Sequence, residues 1–127
     1  MIRVFISVPM SGRDEMDIKN DIFLTQLYVR DSHMFGDEEI KFMDNLDAPD
    51  PKEYISEDKI VTENLLYLGT AIQRLGICNA AFFVGDWKSA RGCRIEHEVC
   101  KEYGIISYCF DKAGKHAIIA DTFHFPQ

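Results

Sequence analysis

The sequence predicts an α/β protein: an open parallel sheet of four to five strands, doubly wound, with helices on both faces. Three observations lead there. Short β-rich runs alternate with helical stretches in the order β-α-β-α-β-α-β, the pattern of a parallel sheet with crossover helices. Two of the runs, "AAFFVG" (80–85) and "IISYCF" (105–110), are almost wholly apolar, as strands covered on both faces are. The length of 127 residues suits a single domain, 1–127, around one core.

Taken in order, "IRVFIS" (2–7) is the first strand, closed by a Pro-Met-Ser-Gly turn. Ser11 is a candidate helix cap, with Asp14 three residues on in capping-box spacing. The helix starts near Arg13 and carries Ile18, Ile22 and Val29 on one stripe. "EIKFMDNL" (39–46) is the second strand, and "DAPDPKEYIS" (47–56), with two prolines, a loop. Residues 57–75 read as the strongest helix, because Val61, Leu65, Leu68, Ile72 and Leu75 recur at helical spacing. Gly76 ends it. Leu66 and Tyr67 lie off that stripe. After the strand at 80–85 and the loop "DWKSARG" comes a helix over 91–103, closed by Gly104. "AIIADTFHF" (117–125) adds a last short element. There is no internal repeat, low-complexity tract or linker.

Composition narrows the function. The chain is 46% hydrophobic and 28% charged, as a soluble globular protein is. It has no apolar run near the ~20 residues of a membrane span, and its first residues are too polar for a signal peptide. It therefore reads as cytoplasmic, with no membrane partner. A net charge of −7 without a basic cluster argues against nucleic acid. Cys78, Cys93, Cys100 and Cys109 sit in apolar surroundings without C-x-x-C spacing, so they read as buried thiols in a reducing compartment. No metal-ligand spacing appears.

"RGCRIEHEVCKEYG" (91–104) holds the main anomaly. At about 100° per residue, Cys93, Val99, Cys100 and Tyr103 share one helix face. Arg94, His97, Glu98, Lys101 and Glu102 share the other, solvated one. Glu96 falls in the middle of the apolar face. Near a helix N-terminus a carboxylate is favoured as the anion, and burial opposes this; Glu96 is expected to stay ionised. Such a group suits nucleophilic attack or stabilisation of a developing cation, and glycosidic carbon chemistry needs both. The plain alternative is an ion pair with Arg13 or Arg91.

Ligands of open α/β sheets sit beyond the carboxyl ends of the strands. Two loops meet there, "SVPMSGRD" and "GDWKSARG". The first offers Ser7, Ser11, Gly12 and backbone N–H groups at a helix start, with Arg13 as a fork for phosphate. The second offers Ser89, Gly92 and Trp87, whose ring stacks on a ligand or closes the core as a lid.

"VFISVPMSGR" and "NAAFFVGDWKSARGCRIEHEVCKEYGI" together resemble the nucleoside 2-deoxyribosyltransferase-like superfamily, most of all its small bacterial and phage-type branch. The two segments are in the right order and span about a third of the chain. The resemblance implies a flavodoxin-like sheet and a glutamate, in a Ser-x-x-Gly-x-x-x-Glu pattern, that attacks the sugar C1′. Here that pattern is Ser89, Gly92 and Glu96. It also implies that the first loop, Ser7, Pro9, Met10, Ser11, Gly12 and Arg13, holds the sugar or its 5′ substituent. The chain departs from the family on the helix before the third strand, where Thr70 and Ala71 replace an acid, and at Asn79, where an aspartate is usual. The proton for the departing base is then expected from Asp86, from a residue not identified in the sequence, from a partner chain, or from no residue at all.

The function expected is N-glycosidic transfer or hydrolysis on a nucleoside or nucleoside 5′-monophosphate, with Glu96 as nucleophile and neither cofactor nor metal. The alternatives are an NAD-type nucleotide glycohydrolase and a catalytically silent nucleotide-binding module. The resemblance further implies a homodimer or larger homo-oligomer.

Overall fold

The computed structural model describes residues 1–110 in full and the backbone of 111 and 117–121. Strands β1 (Ile2–Ser7), β2 (Ile40–Asp44), β3 (Ala80–Val84), β4 (Ile106–Asp111) and β5 (Ala117–Asp121) form one sheet, in the order β2-β1-β3-β4-β5. The first four are mutually parallel. Three helices join them: α1 (Glu15–Ser32), α2 (Glu63–Leu75) and α3 (Arg91–Tyr103). Order and crossovers are those of the flavodoxin-like α/β sheet. β5 runs antiparallel to β4, so the sheet is parallel except at this edge. The part of 117–125 beyond residue 121 lies outside the described residues.

Strand alternation divides the core in two. Val4, Ile6, Phe82 and Val84 pack with Ile18, Ile22 and Val29 of α1. Phe5, Ala81 and Phe83 pack with Ala71 and Leu75 of α2 and Cys93 and Cys100 of α3. Ser7 has the parity of Phe5, so the last side chain of β1 points to the side where α3 lies.

Three local expectations change. Ser11 does not cap α1. It is exposed in a Met10–Arg13 turn in which Gly12 has φ +72°, and the Asp14 carboxylate accepts from Met16 N–H as the cap. The helix expected over 57–75 is split: residues 57–59 form a separate 3-10 turn, and α2 starts at Glu63. Its buried side chains are Thr70, Ala71 and Leu75, while Val61 is 96% and Leu65 63% exposed. Small residues at 70 and 71 let this helix approach the sheet, which turns part of the apolar stripe outward. Gly76 does end α2, in an ordinary right-handed conformation, whereas Gly104 closes α3 with φ +75°. Tyr103, placed by its spacing on the apolar face of α3, is exposed in the last turn.

Candidate active site

The site is built from the carboxyl ends of β1 and β2 and the second turn of α3. Glu96 is 2% exposed, between the buried Cys93 one turn before it and Cys100 one turn after. Helical spacing alone puts these three on one face. Ser7 Oγ, at the end of β1, donates to Glu96 Oε1 at 2.6 Å. Asn45, the first residue after β2, donates through Nδ2 to Oε2 at 3.4 Å. Glu96 therefore forms no ion pair with Arg13 or Arg91; serine and asparagine are its partners.

Burial pushes the Glu96 carboxyl above the ordinary carboxylate range. The bonds from Ser7 and Asn45 pull the other way without cancelling it. Burial thus works against the helix terminus that was expected to keep Glu96 ionised, and moves its titration upward. Glu96 is the sixth residue of α3, and the helix-end field is concentrated in the first turn. A buried carboxyl of this kind exchanges a proton closer to neutral pH. When ionised, it is more basic and less hydrated than a surface carboxylate.

The first loop is held from within. Arg13 Nη2 pairs with Asp21 Oδ2 at 2.6 Å, and Nη1 donates to the Pro9 carbonyl at 2.8 Å. The Asp21 side chain is 2% exposed, so Arg13 braces the loop against α1 with the fork that phosphate would otherwise meet. Met10 packs against the α1-side core. Ser11 and Gly12 are exposed at the tip, with open space beside Gly12.

The second loop divides differently from expectation. Trp87 is a core residue, 7% exposed, with its ring 5.2 Å from Phe83 and 4.4 Å from His97 between centroids. It is not presented to a ligand. His97, expected on the solvated face, instead closes this aromatic cluster, because Trp87 folds back over the helix. Ser89 Oγ donates to the Asp86 carbonyl and fixes the 3-10 turn Trp87–Ser89. Asp86 is exposed at the start of that turn. Gly92, one turn before Glu96, is exposed, and a Cβ there would meet nothing within 4 Å.

The structure brings Ser7 and Glu96 together and adds Asn45 and Asp21, which sequence reasoning passed over. Asn45 carried one usable signal: a polar side chain directly after a strand, where ligands of such sheets bind. Beside it, Asp44, Leu46 and Asp47 meet Lys19, Phe23 and Gln26 of α1 around a cavity of about 260 Å³. Cys78, Cys93 and Cys100 are buried thiols, each pushed up to about 11 by desolvation. Among the described residues no helix is long and apolar enough to cross a membrane.

Fold and site together define an α/β protein with a buried carboxyl at the carboxyl end of a 2-1-3-4 parallel sheet. Comparison with protein-family models, with curated proteins and with solved structures found no match to this chain.

Proposed function

We propose that the chain cleaves or transfers the N-glycosidic bond of a nucleoside or nucleoside 5′-monophosphate, with Glu96 as the attacking carboxylate. The observation that carries this reading is the Ser7–Glu96 bond at 2.6 Å. It presents a desolvated carboxylate next to the β1/β3 switch point, where ligands of this strand order bind. Attack of Glu96 on the sugar C1′ would form a glycosyl ester as the bond to the base breaks. Water or a second base would then take the sugar and free the carboxylate. Asp86, exposed on the loop after β3, is the candidate donor of a proton to the departing base. The same chemistry at a nicotinamide–ribose bond differs only in the base released.

A second reading is favoured by one observation. Burial holds Glu96 toward its neutral form, and a neutral carboxyl is a poor nucleophile. A silent nucleotide-binding module would keep such a group as a hydrogen-bond donor to ligand.

Incubation with a panel of nucleosides, nucleoside monophosphates and NAD, with chromatography of free base, separates these readings. Base release that disappears in a folded Glu96→Ala variant is the expected result. Binding by thermal shift without release of any base would establish the silent module. Release that persists in Glu96→Ala would end the nucleophile assignment.

A further inference from the structure

The Asn45 amide is only half used. Nδ2 lies 3.4 Å from Glu96 Oε2, at the long limit for a hydrogen bond. Oδ1 is buried and has no hydrogen-bond partner among the described residues. Turning the amide plane over exchanges the two atoms, which are nearly the same size. The oxygen then faces Glu96.

We propose that Asn45 is a two-way positioning residue: its amide donates to Glu96 when that group is ionised and, turned over, accepts from Glu96 when it is neutral. In the neutral state a proton taken from solvent sits on Oε2, and that O–H donates to Oδ1. On ionisation the proton returns to solvent, the amide turns back, and Nδ2 donates to Oε2. Ser7 donates to Oε1 in both states.

The surroundings fit a group that changes charge without an ionic partner. From α3 the titratable neighbours are the thiols of Cys93 and Cys100, both held neutral by burial. β1 contributes the Ser7 hydroxyl, and the residue after β2 contributes Asn45. His97, next along α3, turns to Phe83 and Trp87. An arginine at position 45 would hold Glu96 ionised, and a second carboxylate would hold it neutral. An amide accommodates either state, as a carboxylate that attacks and later departs requires. Only that last consequence rests on the glycosidic reading.

The test is a pH titration of the ¹³C,¹⁵N-labelled full chain by NMR, following the Glu96 carboxyl carbon and the Asn45 side-chain nitrogen. Both signals are expected to move with one midpoint, above the ordinary carboxylate range. The Asn45 movement is expected to vanish in Glu96→Gln. In Asn45→Asp, which only accepts and adds a like charge, the carboxyl pair titrates in two coupled steps. The upper step is expected about one pH unit, tenfold in proton affinity, above the wild-type midpoint. An Asn45 signal that stays flat while Glu96 titrates would overturn the proposal, and so would one that moves unchanged in Glu96→Gln. The wild-type measurement needs no variant to fold. Co-titration in a protein that releases no base would sink the glycosidic reading and leave this one standing.

Discussion

Ser7 and Glu96, 89 residues apart in the chain, are joined by a buried hydrogen bond of 2.6 Å between the last residue of β1 and the second turn of α3. The bond stabilises the ionised carboxylate against the cost of its burial, so removing it shifts that balance. In Ser7→Ala the Glu96 midpoint is expected to rise by about one pH unit. That is the share of a charge-assisted bond of about 1.5–3 kcal/mol that the ionised form alone enjoys. Carboxyl-carbon NMR measures the midpoint. A midpoint left where it was would show that Ser7 serves both charge states equally.

Glu96 also makes stability depend on pH. Its carboxyl is raised in the folded state, so between the unfolded value of about 4.3 and the folded value the native protein holds the extra proton. The contribution of Glu96 is therefore fully present below that window and is lost as pH rises through it. Urea midpoints of wild type minus Glu96→Gln should fall across the window and level off above it. A difference that grew with pH would reverse the sign of the shift and end the burial argument.

Arg13 and Asp21 yield a stability prediction in place of a phosphate one. Arg13→Ala leaves a buried carboxylate without its ion-pair partner, an expected loss of roughly 3 kcal/mol. Replacing both with apolar residues, as Arg13→Met with Asp21→Leu, should recover most of it. Chemical unfolding of the three proteins decides. A stable Arg13→Ala that loses affinity only for nucleoside monophosphates would return Arg13 to ligand binding.

Trp87 is expected to behave as core. Trp87→Ala should cost about 3–5 kcal/mol, as large aromatic truncations do, and Trp87→Phe much less. A Trp87→Ala variant of wild-type stability with weakened ligand binding would contradict the packing against Phe83 and His97.

Leu66 and Tyr67, off the apolar stripe of α2, carry the expectation of self-association. Tyr67 is exposed and Leu66 half-buried, and Leu65 of the stripe and Val61, just before the helix, are exposed as well. If two copies cover this surface, light scattering should give a dimer for the wild type and a monomer for Leu65→Glu, with the fold unchanged by circular dichroism. A monomeric wild type would mean that each chain carries a complete site.

What sequence determined here is what depends on neighbours along the chain. Apolar runs marked β3 and β4, because strands covered on both faces are mostly apolar. Helical period put Glu96 between Cys93 and Cys100, because residues three and four apart share a face whatever lies opposite. The same period could not say which face of α2 meets the sheet: it groups Val61, Leu65 and Leu68, while close approach through Thr70 and Ala71 sets the helix rotation. Nor could it turn Trp87 back onto His97 or reverse β5 at the sheet edge. Asp21 was silent, and Asn45 nearly so, for a related reason. A lone polar residue after a strand or on a helix looks solvated until the fold sets it against a partner: Glu96, 51 residues away, for the one, and Arg13, across the first loop, for the other. The upward shift of Glu96 comes from tertiary structure as well. Local helix polarity favours the anion, but the depth of burial, a property of the whole packed domain, pushes the carboxyl up.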